Sequence, residues 1–246
     1  MKKYFLKSFR INRHLRKIKS ILNVLTKINQ SPQQSIYKLL QRSNVTTIID
    51  VGANVGQFGI DMRRAGFNGQ IISYEPGQES FELLHETARK NAPWKILQLA
   101  LGSVEAEQVI NISGNSGLSS SLLEMETDHL KYFPTSRTIK HEIVQISTLD
   151  KQIINLGLDP QFILLKLDVQ GYEFEVLQGA SNSLSKIPFC FLEVSLFPLY
   201  KGELGWIQIV NLLAAAGHEV IDLYRGTETK NGKLLQIDIL TKLSGK

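Results

Sequence analysis

The sequence is poor in cysteine and in long apolar runs. Its one cysteine, Cys190, excludes a disulfide within the chain and lies in the apolar run Pro188-Phe189-Cys190-Phe191-Leu192, which predicts that it packs in the core. Such cysteine usage fits a reducing compartment, so we expect a cytoplasmic protein. No apolar run reaches the roughly 18 residues of a membrane span. The N-terminus also lacks the uninterrupted apolar stretch and cleavage site of a secretory signal, so none is expected.

Acidic residues are missing from the first 30 positions, which hold nine of the 28 lysines and arginines. The rest of the chain then carries 19 basic and 23 acidic residues, so the basic character belongs to the N-terminal segment alone. Apolar residues recur in that segment every three or four positions, which predicts a basic amphipathic helix. Its apolar stripe consists of Ile11, Leu15, Ile18, Leu22 and Leu25.

Two interpretations of this helix stay open. In the favoured one, the stripe packs on the rest of the protein and the basic side chains face solvent. In the other, residues 1–30 make a peripheral contact with the anionic inner face of a membrane. Binding of nucleic acid is disfavoured, because few aromatic residues interleave with the basic ones. The sequence does not indicate the oligomeric state.

The remaining chain alternates between strand-like and helix-like segments, as in an α/β domain. With 43% hydrophobic residues, a chain of 246 residues can bury one sizeable core. We expect a basic helical extension over residues 1–44 and one domain over residues 45–246. The predicted helices are a short one capped by Ser31 and ending near Arg42, then Gly56–Ala65, Gln78–Lys90, Leu149–Leu156 capped by Thr148, one from Gly171 onward, and Leu204–Ala216. The predicted strands are Val45–Val51, Gln70–Tyr74, Lys95–Leu101, Gln108–Ile112, Glu142–Ile146, Phe162–Leu167, Phe189–Val194, His218–Tyr224 and Leu234–Leu240, the last two forming an antiparallel hairpin.

Two glycines follow the first predicted strand in the stretch Ile48-Ile49-Asp50-Val51-Gly52-Ala53-Asn54-Val55-Gly56. A dinucleotide-binding turn would have a middle glycine here, and a phosphate loop would continue with Lys-Ser or Lys-Thr. S-adenosylmethionine needs neither. Asp50 could bind its ammonium, and Glu75, at the end of the next predicted strand, could accept its ribose hydroxyls. The pattern therefore favours S-adenosylmethionine as the ligand of this turn.

A second stretch, Leu165-Lys166-Leu167-Asp168-Val169-Gln170-Gly171, ends the most apolar predicted strand. Side chains two apart on a strand share a face, so Lys166 and Asp168 project together at its carboxyl end. They could form a structural ion pair, but the functional interpretation is favoured because the site faces the crevice beside the glycine turn. For methyl transfer to a hydroxyl, Asp168 is the first choice as general base. Lys166 could stabilise the developing charge, and Glu193, ending the neighbouring strand, is the third candidate.

Residues 113–121 form a polar interruption of the α/β pattern. This segment is either a solvated loop or a hydroxyl-rich flap over the ligand site. The candidate substrate-binding residues are Ser119, Ser120, Tyr172 and His141. Asp168 and Glu193 with water could hold Mg²⁺, which prefers oxygen ligands, although the pattern does not require a metal. No cysteine–histidine spacing indicates zinc.

Several stretches together resemble the FkbM-type family of S-adenosylmethionine-dependent methyltransferases. They are Ile-Ile-Asp-Val-Gly-Ala-Asn-Val-Gly-Gln (48–57), Tyr-Glu-Pro (74–76), Ala-Leu-Gly (100–102), the Asn-Ser-Gly…Ser-Ser loop (115–121), Leu-Lys-Leu-Asp-Val-Gln-Gly-Tyr-Glu…Val-Leu-Gln-Gly-Ala (165–180) and Leu-Glu-Val (192–194). The first is generic to class I methyltransferases, but its combination with Lys-Leu-Asp-Val-Gln-Gly-Tyr-Glu is specific. The resemblance covers roughly residues 45–240. Gln170 stands where many relatives have glutamate.

The resemblance implies a three-layer, Rossmann-like class I methyltransferase fold with a seven-stranded, mostly parallel sheet. To this the residues add a C-terminal antiparallel hairpin and the N-terminal helical extension. It also implies an O-methyltransferase acting on a hydroxyl of a sugar in a glycan, glycolipid or secondary metabolite, or on another hydroxyl-bearing small molecule. The expected S-adenosylmethionine contacts are Asp50, Gly52, Ala53, Asn54, Gly56, Glu75, Pro76, Ala100, Leu101 and Gly102.

Two alternatives to this function stay open. The first is a methyltransferase acting on nucleic acid, which would need a basic crevice and stacking aromatic residues, whereas the predicted domain is acidic. The second is a catalytically inactive module that binds the methyl donor and is tethered by the basic segment.

Overall fold

The computed structural model describes residues 32–245. The predicted amphipathic helix and the Ser31 cap lie outside these residues. The described helices are α1 (Pro32–Leu40), α2 (Gln57–Ala65), α3 (Gln78–Arg89), α4 (Thr127–Tyr132), α5 (Leu149–Asn155), α6 (Glu173–Gln178) and α7 (Trp206–Ala215). The described strands are β1 (Thr47–Val51), β2 (Gln70–Tyr74), β3 (Trp94–Leu97), β4 (Ala100–Leu101), β5 (Ala106–Ser113), β6 (Thr138–Ser147), β7 (Ile163–Leu167), β8 (Phe189–Ser195), β9 (His218–Arg225) and β10 (Gln236–Leu243).

Seven of these strands form one sheet, in the order β3-β2-β1-β7-β8-β10-β9. Five neighbouring strands of this sheet, β3, β2, β1, β7 and β8, are parallel, whereas β10 runs antiparallel to both β8 and β9. This confirms the predicted mostly parallel sheet with a C-terminal hairpin. The carboxyl ends of β1, β2, β7 and β8 meet at one edge, which is where ligands bind in open α/β sheets.

The two central strands, β1 and β7, are buried along their whole length. Their near-continuous apolar sequence is what strands covered on both faces require. Ile49 and Val51 of β1 pack into a cluster with α5, α6 and α7, whereas Ile48 packs into a second cluster with α1 and α2. Helices therefore cover both faces of the sheet, which gives three layers. Full burial of each such side chain contributes roughly 1.5–3 kcal/mol.

Helix α1 attaches the described end of the N-terminal segment to the domain. Its buried residues Ile36 and Leu40 join the cluster that contains Phe58 and Met62 of α2. Pro32 occupies the first helical position, as predicted, where its missing N–H costs no hydrogen bond. Among residues 32–245, no helix has the length and apolar character needed to cross a membrane.

A second, three-stranded sheet pairs β6 with β4 and β5. Strands β5 and β6 are antiparallel and include the two half-exposed strands predicted at 108–112 and 142–146. The predicted single strand Lys95–Leu101 was wrong. Its first part is β3, which pairs with β2, and its last part is β4, which pairs with Ile146 and Ser147 of β6. The chain changes sheets after Leu97 because β2 ends at Tyr74, the partner of Leu97.

Candidate active site

The turn between β1 and α2 has the backbone geometry that its glycines permit. Gly52 and Gly56 have φ values of 72° and 94°, in the left-handed region, and Asn54 joins them at 47°. A Cβ atom on Gly52 would lie 1.9 Å from the carbonyl oxygen of Asp168. Only glycine therefore lets the turn pack directly against the end of β7. The Gly52 and Ala53 N–H groups both donate to the Tyr74 carbonyl oxygen, at 3.0 and 3.1 Å, which ties the turn to β2.

A buried ion pair supports this turn from below. Asp50 and Lys166 are register partners on β1 and β7, and Lys166 Nζ lies 2.9 Å from Asp50 Oδ1. The ammonium also donates to the Gly52 carbonyl oxygen at 3.1 Å and lies 3.7 Å from Asp168 Oδ2. Burial acts to lower the pKa of Lys166, but the charges of Asp50 and Asp168 outweigh it and hold that pKa above its usual value. Lys166 is therefore a cation that joins β1, the turn and β7.

Asp50 has no exposed surface. Besides Lys166 it accepts a hydrogen bond from the Ser73 hydroxyl at 3.4 Å. Asp50 does not line the cavity described below, and its contact with a residue of the cavity wall is the ion pair with Lys166. Direct binding of the donor ammonium by Asp50 stays a prediction.

Glu75 follows β2 and faces the turn. Its Oε2 accepts the Asn54 N–H at 2.8 Å and its Oε1 accepts the Gly77 N–H at 2.9 Å. Burial raises the pKa of Glu75 to about 7, although both backbone N–H groups act in the opposite direction. The preceding Tyr74 is buried, and its hydroxyl finds no hydrogen-bond partner in the part of the chain that the structure describes.

Tyr74 and Glu75 line a cavity of about 340 Å³ at the carboxyl edge of the large sheet. Residues predicted to bind the donor form one part of its wall: Gly52, Ala53, Asn54, Glu75, Pro76, Ala100 and Leu101. Candidate catalytic residues and further side chains form another part: Lys166, Asp168, Gln170, Tyr172, Glu193 and Asp238. The structure therefore brings the two predicted sets into one space, with Phe58 and Phe191 as apolar wall.

Asp168 and Glu193 are joined by one amide. Gln170 Nε2 donates to Asp168 Oδ1 at 2.7 Å and to Glu193 Oε2 at 2.8 Å. Gln236 on β10 donates to the same Glu193 oxygen at 2.7 Å. Burial, followed by the charges of Asp168 and Asp238, raises the pKa of Glu193 well above its usual range. Asp168 is the more exposed of the two carboxylates, with 38% of its side chain accessible.

Asp238 was not identified from the sequence. It lies directly opposite Glu193 in the antiparallel pair of β8 and β10. Burial and then the charge of Asp168 raise its pKa to about 7. Neither Asp238 nor Gln236 belongs to a recognisable motif, so only the register of the last strand, which sequence reasoning did not supply, could have revealed them.

The polar loop at 113–121 closes one side of the cavity, where Gly117, Leu118, Ser120 and Ser121 contribute to its wall. Two of its hydrogen bonds reach the residues around the cavity. The side-chain amide of Asn54 donates to the Ser116 carbonyl oxygen at 3.2 Å, and the Ser121 hydroxyl donates to the Gln170 carbonyl oxygen at 2.7 Å. The loop therefore contacts both the glycine turn and the acceptor-side network, as a flap over the site would.

Besides Asp50, four predicted site residues lie outside the cavity wall. Ser119 is buried within the loop, where it bonds Asn115. Gly56 and Gly102 pack behind the wall against Trp94 and Tyr172 respectively. His141 lies in a shallow depression beside Val109, Glu124 and Ile143 on the small sheet. In residues 32–245, no group of three or more histidine, cysteine, aspartate or glutamate side chains is arranged to hold a metal ion.

The sequence matches a known protein family and is similar to several known methyltransferases. The model of the methyltransferase FkbM domain matches residues 50–223. Hexuronic acid methyltransferase AglP of Haloferax volcanii is 25% identical over 163 residues, covering 66% of this chain and 62% of AglP. The 2-O-methyltransferase NoeI of Sinorhizobium fredii is 25% identical over 186 residues, covering 73% of this chain and 75% of NoeI.

This chain thus spans less than two thirds of the length of AglP. Among solved structures, magnesium protoporphyrin IX methyltransferase (ChlM) from Synechocystis PCC 6803 with bound SAM superimposes with a TM-score of 0.46 at 12% identity. That superposition covers 86% of this chain and 78% of the other. The match to the domain model over residues 50–223 shows that this chain belongs to the FkbM methyltransferase domain family.

Proposed function

We propose that this protein is an S-adenosylmethionine-dependent O-methyltransferase that methylates a hydroxyl group of a sugar. The observation that carries the proposal is the sharing of one cavity by two sets of groups. On one side lie the glycine turn and Glu75, and on the other the carboxylates of Asp168 and Glu193. A donor held by the first set would present its methyl group toward the second.

The residues of the first set fit S-adenosylmethionine. The volume of about 340 Å³ falls within the range of small-molecule sites. Glu75 uses one lone pair on each oxygen for a backbone N–H, which leaves acceptor capacity for ribose hydroxyls. Tyr74 lines the same cavity, and its hydroxyl is a donor with no partner among residues 32–245. When bound, S-adenosylmethionine supplies an electrophilic methyl group on its sulfonium.

The residues of the second set fit an acceptor that loses a proton. Asp168 is partly exposed to the cavity, and its Oδ2 takes no bond from Gln170, so this oxygen is placed to accept the proton of a hydroxyl. Lys166, 3.7 Å from that oxygen, places a positive charge where negative charge develops on the acceptor. Glu193 can hold a second hydroxyl of the same acceptor.

A sugar is the acceptor that the surroundings favour. The cavity wall combines hydroxyls, amides and carboxylates with the aromatic faces of Phe58 and Phe191, a mixture suited to a polyhydroxylated ring. The names of the relatives AglP and NoeI, a hexuronic acid methyltransferase and a 2-O-methyltransferase, support the same class.

The experiment incubates the full chain with donor labelled in its methyl group and with sugar acceptors offered as glycan, glycolipid and nucleotide-sugar fractions. Mass spectrometry then locates the methyl group. The proposal expects a labelled methyl ether on one sugar hydroxyl. Donor binding without transfer to any fraction would favour a donor-binding module instead, and label in a nucleic acid control would favour the nucleic acid alternative.

A further inference from the structure

Among residues 32–245, Gln170 is the side chain that hydrogen-bonds both candidate acids of the acceptor side, Asp168 and Glu193. It lies three residues beyond β7, and its backbone φ is 55°. This is the left-handed region, which residues other than glycine, asparagine and aspartate rarely adopt. This backbone conformation turns the amide back over the strand ends. The chain thus accepts a local strain that brings this amide between β7 and β8.

The orientation of the amide is set from both ends. Its Nε2 donates both N–H groups, one to Asp168 Oδ1 and one to Glu193 Oε2. Its Oε1 accepts the Tyr200 hydroxyl at 2.7 Å. A flipped amide would direct its oxygen at two carboxylates, so the observed arrangement is the one that satisfies all three neighbours.

These bonds leave one oxygen on each carboxylate uncommitted to Gln170. Asp168 keeps Oδ2, and Glu193 keeps Oε1 because Gln236 donates to the same Oε2 that Gln170 uses. Both carboxylates are thereby fixed in rotation about their own axes. An acceptor hydroxyl then meets an oxygen of defined direction, which is the condition for positioning to lower a barrier.

The same residue connects this pair to the polar loop. The Gln170 carbonyl oxygen accepts the Ser121 hydroxyl, and the Tyr200 hydroxyl also lies 3.2 Å from the Ser119 carbonyl oxygen. The loop and the two acids therefore share Gln170 and Tyr200 as common supports.

We propose that Gln170 is a positioning residue for methyl transfer, holding Asp168 and Glu193 with their uncommitted oxygens toward the acceptor and joining this pair to the loop that covers it. This rests on the proposed function, which it extends to a residue where the resemblance would place glutamate. Glutamate could not do the same work, because it has no N–H to give to either acid.

The charged and titratable groups around Gln170 determine what a glutamate would do there. They are Lys166 on β7, Asp168, Glu173 on α6, Glu193 on β8, Tyr200 and Asp238 on β10. A third carboxyl group between Asp168 and Glu193 stays in place only if the cluster binds an additional proton. That proton must leave before Asp168 can act as a base, so the loss of activity should be greatest at low pH. Activity should stay below that of the parent at high pH, because the two amide hydrogen bonds are not restored.

The test compares Gln170→Glu with Gln178→Glu, measuring kcat and KM across pH together with donor affinity and Tm. Gln178 is exposed at the end of α6 and does not line the cavity, so its substitution adds a carboxyl group outside the acceptor-side network. We expect Gln170→Glu to lower kcat about 100-fold near pH 6 and to leave it about tenfold below the parent near pH 9, where the extra proton is lost but the two amide hydrogen bonds are still missing. The acidic limb for Gln178→Glu should stay within about half a pH unit of the parent. Donor affinity should change less than about threefold in both variants.

A loss of kcat in Gln170→Glu that is equal at every pH would assign Gln170 a structural role only and overturn the proposal. Activity equal to that of Gln178→Glu at all pH values would overturn it as well. If Gln170→Glu does not fold, Gln170→Asn replaces it, because asparagine tolerates positive φ but is too short to span both acids. Its kcat should fall about tenfold at constant donor affinity, and unchanged kcat would refute the proposal. A parent protein that methylates no sugar would instead refute the proposed function itself.

Discussion

The pairing of Lys166 with Asp50 gives the sharpest prediction about stability. Lys166→Met removes the ammonium and leaves the carboxyl group of Asp50 without its ion-pair partner and with no exposed surface. Removal of one partner of a buried pair typically costs about 3–5 kcal/mol of unfolding free energy, because the remaining charge is uncompensated. Here the upper part of that range applies, because the ammonium also binds the Gly52 carbonyl oxygen at 3.1 Å and approaches Asp168.

The double variant Lys166→Met with Asp50→Asn tests whether the cost comes from the uncompensated charge. Replacing both partners removes the buried charges together, so the double variant should lose only about 1–2 kcal/mol. The two single variants should each lose more than the double variant does. This gives a coupling free energy of about 3 kcal/mol or more, well above the additive behaviour of independent sites.

Urea unfolding at neutral pH, monitored by circular dichroism, measures these values for all three variants. Lys201→Met is the matched control, because Lys201 lies 2.7 Å from Glu124 but both side chains are more than half exposed. That shorter ion pair should contribute little, since solvent screens it. Equal losses for Lys201→Met and Lys166→Met, or a double variant that loses the sum of the single losses, would refute the reasoning.

Three further predictions concern Glu75, Gly52 and the basic N-terminal segment. Affinity for S-adenosylhomocysteine, measured by calorimetry, should increase by up to about tenfold per unit as the pH rises toward 7 and should be constant above it. The reason is that Glu75, with its pKa of about 7, must be ionised to accept the ribose hydroxyls. Glu75→Gln should bind more weakly, and its affinity should not change with pH. Gly52→Ala should lower Tm far more than Gly202→Ala, since both have strongly positive φ but only at Gly52 would the added Cβ meet a neighbouring atom, the Asp168 carbonyl oxygen; equal losses would contradict this. Removal of residues 1–30 should abolish sedimentation with anionic vesicles if that basic segment is a membrane anchor, and unchanged sedimentation would end that hypothesis.

The layout of the large sheet could be predicted because its central strands have a recognisable apolar sequence. Strands buried on both faces have nearly continuous apolar sequences, and β1 and β7 each carry one charged residue near the carboxyl end. The motif Tyr-Glu-Pro, which begins with the last residue of β2, located Glu75 at the carboxyl end of that strand. Thr148 was also identified as a helix cap, and its hydroxyl accepts the Lys151 N–H at 3.2 Å.

What could not be predicted depends on how strands pair. The sequence gives Asp50 and Lys166 as acid and base at two strand ends, but only the register of β1 with β7 makes them partners and buries Asp50 beneath the turn. Likewise Asp238 meets Glu193 through the antiparallel register of β10. The network around Gln170 needs a positive φ and a distant tyrosine, neither of which leaves a local pattern. The separation of β4 from β3 arises from pairing with β6, which no propensity within residues 95–101 records.

The central claim is that one cavity separates donor binding from acceptor activation, and Asp168→Asn tests it most directly. Asparagine keeps the size of the side chain and can still accept the Gln170 amide, but it cannot take a proton. We expect kcat for sugar methylation to fall about 10²–10⁴-fold while calorimetric donor affinity stays within about tenfold of the parent. Asp128→Asn, at a surface acid paired with Lys131, serves as control and should leave both unchanged. Equal loss of turnover and donor affinity in Asp168→Asn, or full activity, would contradict the account.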